Sequence, residues 1–411
     1  MSKSIYEESA ELCGLMLASG VAVIKIMNMP FIGYSISGLG VILMASKMLN
    51  HINPYKKLFE NLKISINEET PKLIEKIATT YGYSLRFNLP VGLSSHDFIK
   101  NQLAIEEYLN RKVEIEYKNH NVFIKVFEKE LDKNIPYEFI KCKRPLEFAI
   151  GKKVNGNFVT IDLEKMIHLL IAAETGGGKS TLLRSIITSI ILSNRKIGLH
   201  LIDLKNGAEF NVFRKSSAVK SFSRNTDEAE NVLNKLTNEV NRRYDLFFEN
   251  DVVDIKGYNK LKNKKKLDYQ IVIVDEYADL QNERESTKAI EILAAKARAC
   301  GIHLIISTQR PDKEVVNGRI KANIPTVIGL KTMNEINSRI IIDQKGLETL
   351  RGRGHAILKH TELTEFQSMQ IEIEDVKRLI AHTYRDKSKD DENIKKNYGK
   401  IVNFDFLEML K

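Results

Sequence analysis

Cysteine is scarce. There are three in 411 residues, Cys13, Cys142 and Cys300, and none belongs to a CxxC pair. That excludes a disulfide framework and a zinc site of the usual thiolate spacing, and it suits a reducing cytoplasm. Internal repeats and low-complexity tracts are missing, so a stacked-repeat architecture is excluded as well. No secretory cleavage pattern follows the first charged stretch, which holds Glu7, Glu8 and Glu11. Nor does any uninterrupted apolar run reach the roughly 20 residues that a spanning helix needs.

Two runs come close to that length. Leu12–Ile24 (LCGLMLASGVAVI) and Phe31–Ser46 (FIGYSISGLGVILMAS) are separated by Lys25 and the breaker MNMP. Read together from Leu12 to Leu49, with Lys25 and Lys47 snorkelling, residues 1–50 are expected to form a membrane hairpin with both ends in the cytoplasm. A buried or interfacial pair of short helices is the alternative, and the small residues (Gly14, Ser19, Gly20, Gly33, Ser35, Gly38, Gly40) fit close packing in either setting. Lysine and arginine outnumber the acids 63 to 53. This mild excess favours a polyanionic partner, nucleic acid or an anionic membrane face.

The length exceeds what one core usually serves, so one large domain and smaller parts are expected. Residues 51–147 read as a small α+β domain. A helix is expected around Pro71–Tyr81, then a strand in YSLRFNLPVG, a helix in HDFIKNQLAIEEYL, and paired strands at Val113–Tyr117 and Val122–Phe127. This part holds no catalytic constellation. From Phe148 the rhythm becomes strand, loop, helix, the form of an α/β parallel sheet flanked by helices, over residues 148–383. Residues 384–411 read as a charged tail with a short helix.

The chemistry sits in that α/β core. The buried strand His168–Ala172 runs into Ala173-Glu174-Thr175-Gly176-Gly177-Gly178-Lys179-Ser180 and then, from Thr181, into a helical run (TLLRSIITSIIL). This strand, loop, helix context is that of a phosphate-binding loop for ATP. The glycines let backbone N–H groups face phosphate oxygens at a helix N-terminus. Lys179 would neutralise the β- and γ-phosphates and Ser180 would ligate Mg2+. Ala173 stands where the usual pattern has glycine. A second apolar strand, in QIVIVDEYADL, ends in Asp275, for the metal, and Glu276, to orient and deprotonate the attacking water. A third, Ile302–Ile306, ends in Ser307-Thr308-Gln309-Arg310-Pro311. If it lies between the other two, Gln309 faces the γ-phosphate.

These motifs, with NRRYDLF (Asn241–Phe247), GYNK at Gly257, AAKARACGIHLIISTQRP from Ala294, IKANIP at Ile320 and NSRIIIDQKGLETLRGRG at Asn337, resemble the FtsK/SpoIIIE family of DNA translocases over roughly Phe148–His382. The resemblance implies a RecA-like P-loop NTPase core assembling as a homo-hexameric ring around double-stranded DNA, with ATP between subunits. It implies a catalytic arginine from the neighbour, at Arg298 or alternatively Arg339, and pore contacts from Arg310, Lys321 and Arg339 that grip phosphates without reading bases. No room for a sequence-reading winged-helix domain is expected after the motor. That compact layout looks like the coupling proteins of Gram-positive conjugative elements, whose partners are relaxase and transfer-channel proteins. Chromosome partitioning, type VII-like protein export and a scaffold of low turnover are the competing readings. The lysine run Lys260–Lys266 is open to either a DNA contact or a solvated loop.

Overall fold

A computed structural model of the chain describes residues 54–193, 196–310, 312–316 and 318–385. The hairpin expected over residues 1–50, and nearly all of the charged tail, lie outside the described residues. Among those described, no helix is long and apolar enough to cross a membrane. The chain divides into two compact units between Lys129 and Glu130. That is earlier than the boundary expected at residue 147, because residues 130–147 contribute a short strand to the sheet of the large unit.

The small unit runs α1 (Lys56–Asn61), β1 (Leu73–Thr79), β2 (Gly82–Asn88), α2 (Ser95–Lys100), α3 (Gln102–Leu109), β3 (Lys112–Lys118) and β4 (Asn121–Phe127). Its antiparallel sheet has the order β1-β2-β4-β3. Leu85 and Phe87 of β2 and Val122, Ile124 and Val126 of β4 alternate onto one face, as a two-residue period requires. Phe59, Phe98 and Ile105 of the three helices close over them, with Phe59 edge-on to Phe87 at 5.1 Å. The strands expected at 113–117 and 122–127 are β3 and β4. The helix expected around 71–81 is strand β1 instead. LIEKIAT spaces its apolar residues like a helix, but Gly82, at φ +149° and with the Val126 carbonyl where a Cβ would sit, turns the chain back so that Thr79 pairs with Gly82. Pairing along a whole strand outweighs a local preference worth tenths of a kcal/mol per residue.

The large unit holds β5 (Ile135–Pro136), β6 (Glu147–Lys152), β7 (Phe158–Asp162), β8 (Leu169–Ala172), α4 (Lys179–Leu192), β9 (Ile197–Ile202), β10 (Val219–Ser223), α5 (Thr226–Glu249), α6 (Ile255–Lys260), β11 (Tyr269–Val274), α7 (Arg284–Lys296), β12 (Ile302–Thr308), α8 (Gly318–Asn323), β13 (Thr326–Leu330), α9 (Glu335–Ile342), β14 (His355–Lys359), β15 (Leu363–Gln370) and α10 (Ile373–Ile380). The sheet order is β10-β9-β11-β12-β8-β13-β14-β15-β6-β7, with β5 on β15. From β10 to β13 the strands are parallel, and β14, β15, β6 and β7 extend the sheet antiparallel. The expected parallel sheet is therefore the six consecutive strands at one end of a mixed one, with β10 at its edge.

The inner parallel strands β8, β11, β12 and β13 are largely buried on both faces, which is why their sequences read as nearly unbroken apolar runs. Leu169, Ile171, Ile271 and Ile273 face α4 and α10. Leu170, Val272, Val274 and Leu304 face α5 and α7. The NRRY motif has a structural task here. Arg243, 2 % exposed, donates to Cys300 O at 2.6 Å, Asp268 O at 2.9 Å and Glu239 at 2.7 Å, tying α5 to the lead-ins of β11 and β12.

Two histidines, His168 and His303, are buried and a third, His200, is half-buried, and all three are held neutral. Burial lowers His168 to about 3, His303 to about 4 and His200 to about 4, from an ordinary 6.5. His168 accepts from Leu304 N–H at 3.0 Å and pairs through its other nitrogen with Ala294 O at 3.1 Å. The unfolded chain takes up protons below about pH 6.5 that the folded one refuses, so stability is complete above that pH and falls as the pH descends towards 4. The thermal midpoint is expected to be lower at pH 5 than at pH 7, with net proton uptake on unfolding at pH 5 in calorimetry across buffers of different ionisation heat. An equal midpoint at both values would contradict neutral burial.

Candidate nucleotide site

The site forms where three strand ends meet. β12 lies between β8 and β11, so the loop after β8, the acids after β11 and the polar tip of β12 share one edge of the sheet. Ala173 N–H donates to Thr308 O at 3.1 Å and Glu174 N–H to Lys331 O at 3.1 Å, which extends β8 between its neighbours before the loop turns. Gly176 and Gly178 have φ of +82° and +103°. Gly176 has open space where a Cβ would stand, as a phosphate cradle requires. At Gly178 a Cβ would meet Gly354 N at 2.3 Å, so the requirement there is packing. The turn Gly352–Gly354 buttresses the loop, with Arg353 N–H donating to Gly176 O at 3.3 Å and Gly354 N–H to Gly177 O at 2.8 Å. The sequence reading missed this buttress, although its glycines stood in the RGRG motif.

Lys179 opens α4 and is 4 % exposed. Its ammonium donates to Asp275 Oδ1 and Asp275 O, both at 2.6 Å, and to Ser307 Oγ at 3.3 Å. Asp275 is 1 % exposed, yet its Oδ2 is buried without a hydrogen bond, with Lys205 Nζ 3.8 Å away. A buried carboxylate oxygen left unpaired fits a divalent cation with its waters. Ser180, half-buried in the first turn of α4, and Asp275 are the residues that would hold Mg2+. Thr181 follows, also half-buried.

Glu276 is 5 % exposed. Thr308 Oγ1 donates to its Oε1 at 2.7 Å, and the Gln309 N–H reaches Oε1 at 3.1 Å and Oε2 at 3.0 Å. These donors fix the carboxylate at the tip of β12, beside the lysine. Gln309 Oε1 accepts from Thr175 Oγ1 at 3.4 Å, so Gln309 spans from the loop to the acid. A buried carboxylate held next to a glycine-rich loop has the placement that a general base for phosphoanhydride hydrolysis would need. Glu174 is engaged elsewhere: its Oε1 accepts from Asn337 Nδ2 of α9 at 2.9 Å.

Other expected site residues stand apart. Arg298 is exposed just before β12 begins, while the site is at the strand's other end. A seven-residue strand puts it about 20 Å from its own phosphate loop. Lys321 and Arg339 come together with Lys313, lining a cavity of about 470 Å³ with Val316, Ile336 and Ile340. Both are paired there, Lys321 with Asp343 at 2.7 Å and Arg339 with Glu335 at 2.6 Å. Arg310 is exposed at the tip of β12. The lysine run 260–266 precedes β11 at the sheet edge opposite the site.

Residues 136–313 match the FtsK/SpoIIIE family. In sequence the chain is 39% identical over 257 residues to the DNA translocase FtsK of Clostridium acetobutylicum, covering 59% of this chain and 33% of that one. It is 36% identical over 287 residues to the DNA translocase FtsK of Oceanobacillus iheyensis, covering 66% and 36%. The chain thus spans about a third of the length of these relatives. Among solved structures, the conjugation coupling protein TcpA of pCW3, monomer form with ATPγS, aligns with a TM-score of 0.57 at 24% identity over 81% of this chain and 99% of that one. EssC (ATPases 2 and 3) from Geobacillus thermodenitrificans aligns with a TM-score of 0.55 at 19% identity over 67% and 53%. The α/β fold of the large unit is accordingly that of the RecA-like P-loop ATPases.

Removing the lysine strands its partner. Lys179→Ala leaves Asp275 buried beside only the distant Lys205, and a loss of roughly 3 kcal/mol in unfolding free energy is expected, the lower end of what breaking a buried pair costs. Lys179→Met with Asp275→Asn should recover much of it. Denaturant titration of the three proteins tests this, and a single variant as stable as wild type would refute it.

Proposed function

We propose, from the match of residues 136–313 to the FtsK/SpoIIIE family, that the chain is an ATP-driven double-stranded DNA translocase, acting as a ring hexamer and serving as the coupling protein of a conjugative plasmid or integrative element. The observation that carries the hydrolytic part is the meeting of Lys179, Asp275, Glu276 and Gln309 at adjacent strand ends, with the Glu276 carboxylate held by Thr308, the last residue of β12, and by the Gln309 N–H just after it. Lys179 and the loop N–H groups bind the triphosphate, and Ser180 and Asp275 hold the magnesium. Glu276 takes the proton of the attacking water, and Gln309 registers the γ-phosphate.

Duplex DNA as substrate rests on the 36–39% identity to proteins named DNA translocase. The ring rests on Arg298, which its own chain holds too far from the site to use. A neighbouring copy offering Arg298 would stabilise charge on the transferring phosphoryl group. Arg339 is the weaker candidate, since Glu335 neutralises it. Arg310, Lys321 and Arg339 grip backbone phosphates, exchanging their present ion pairs for DNA contacts. The alignment with the conjugation coupling protein TcpA along nearly its whole length supports the conjugative role, in which relaxase and transfer-channel proteins would be the partners. Residues 1–50 tether the cytoplasmic motor to the cell membrane. Protein export is the second reading, favoured by the alignment with the cytoplasmic domain of the type VII secretion ATPase EccC of Thermomonospora curvata.

Steady-state ATPase activity with and without long linear duplex separates the two. Stimulation many-fold and rising with duplex length is expected, and a DNA-independent rate in a protein that forms rings would favour export. Glu276→Gln should keep ATP binding while turnover falls by about 10²–10⁴. Arg298→Ala should bind ATP and inhibit wild type when mixed with it; full activity of the variant would remove its role in trans.

A further inference from the structure

The turn Gly352–Gly354 does more than brace the phosphate loop. Its three residues have φ of +84°, +53° and +88°, an unbroken left-handed run with an arginine in the middle. The conformation costs an L-residue about 1 kcal/mol that glycine would avoid. The run is fixed from behind, because Gln367 Nε2 and Gln370 Nε2 donate to Arg353 O at 2.8 and 3.1 Å and Ser368 N–H donates to Gly354 O at 2.8 Å. The Arg353 side chain is exposed and joins no ion pair or hydrogen bond among the described residues. It is the sole side chain on this turn, and its own N–H is bonded to Gly176 of the phosphate loop.

The direction of a bound nucleotide follows from the strand order. The γ-phosphate end is marked by Lys179, Asp275 and Glu276, on the β12 and β11 side of β8. Residues 352–354 reach the same loop immediately before β14, on the opposite, β13 side of β8. A nucleotide with its terminal phosphate at Glu276 leaves the loop on that opposite side, so its ribose and base emerge over the turn. We propose that Arg353 is the base-contacting residue of the site, its planar guanidinium stacking on the purine ring of ATP. This rests on the nucleotide-site reading above and adds the group that holds the non-phosphate half of the ligand. A guanidinium suits the task because it stacks on π faces and is weakly hydrated.

Binding of ATP and of inorganic tripolyphosphate, each measured calorimetrically in the presence of magnesium on the full chain, tests the assignment with wild type, Arg353→Ala and Arg353→Gly. Both variants should bind ATP about tenfold more weakly and raise KM by a similar factor with kcat little changed, while tripolyphosphate affinity stays at the wild-type value. Arg353→Gly relaxes the left-handed residue, so its agreement with Arg353→Ala separates the side chain from the backbone. Equal losses for ATP and tripolyphosphate would reassign the guanidinium to phosphate binding and overturn the proposal, as would unchanged ATP affinity. Wild type that binds neither ligand would overturn the nucleotide-site reading on which the proposal stands.

Discussion

The contact between Lys179 and Asp275 is what the architecture of the site depends on. An ammonium and a carboxylate, both almost fully buried, meet at 2.6 Å although 96 residues separate them in sequence. Desolvating two charges is costly, and the pair is tolerable only where geometry is good and the remaining donors are satisfied. Ser307 and the Asp275 carbonyl satisfy the ammonium, which places both strand ends within a hydrogen bond of one another. The same pair leaves one Asp275 oxygen unpaired, so the polar centre is complete as a scaffold and incomplete as a site.

The position of β12 adds a second, fixed carboxylate to that centre. Because it lies between β8 and β11, its last residues reach both. Thr308 and Gln309 donate to Glu276, and Gln309 also meets Thr175 of the phosphate loop. Charged hydrogen bonds are stronger than neutral ones, and two of these donors are fixed by a strand buried along its whole length. Glu276 is thereby held against the motion an exposed side chain would have. Its position follows the register of β11 and β12, where Val274 aligns with Ile306.

Much of this was legible in the sequence, and the physical reasons differ by element. β8, β11 and β12 are short apolar runs ending in polar residues, which is how a doubly buried strand ending at a site reads. The glycine-rich loop between β8 and α4 was legible because its glycines and lysine are contiguous. What was not legible involves partners distant in sequence. β1 has helical spacing and is a strand because Gly82 folds it onto β2. The antiparallel extension β14, β15, β6, β7 joins residues more than two hundred positions apart. Gly178 was read as a phosphate-loop glycine, yet its lack of a side chain is imposed by Gly354, a contact no local pattern encodes. Lys321 and Arg339 were read as cations, whereas Asp343 and Glu335 neutralise them in this state.

The two ends of β12 carry different tasks, and Arg243 links them. Arg298 and Cys300 precede the strand, and Thr308 and Gln309 close it. The guanidinium of Arg243 binds the carbonyls of Cys300 and Asp268, which lead into β12 and β11. It thereby fixes where both strands start, and since they are parallel and in register, where both end. Tyr244, the next residue, donates to Lys296 O at 2.8 Å and fixes the C-terminus of α7 just before Arg298. The arginine–tyrosine pair of one helix therefore sets the spacing of Glu276 against Gln309 at one edge of the sheet and the presentation of Arg298 at the other. A motif outside the site thus bears on its geometry, because the shared start of two in-register strands sets which of their residues stand level at the far end.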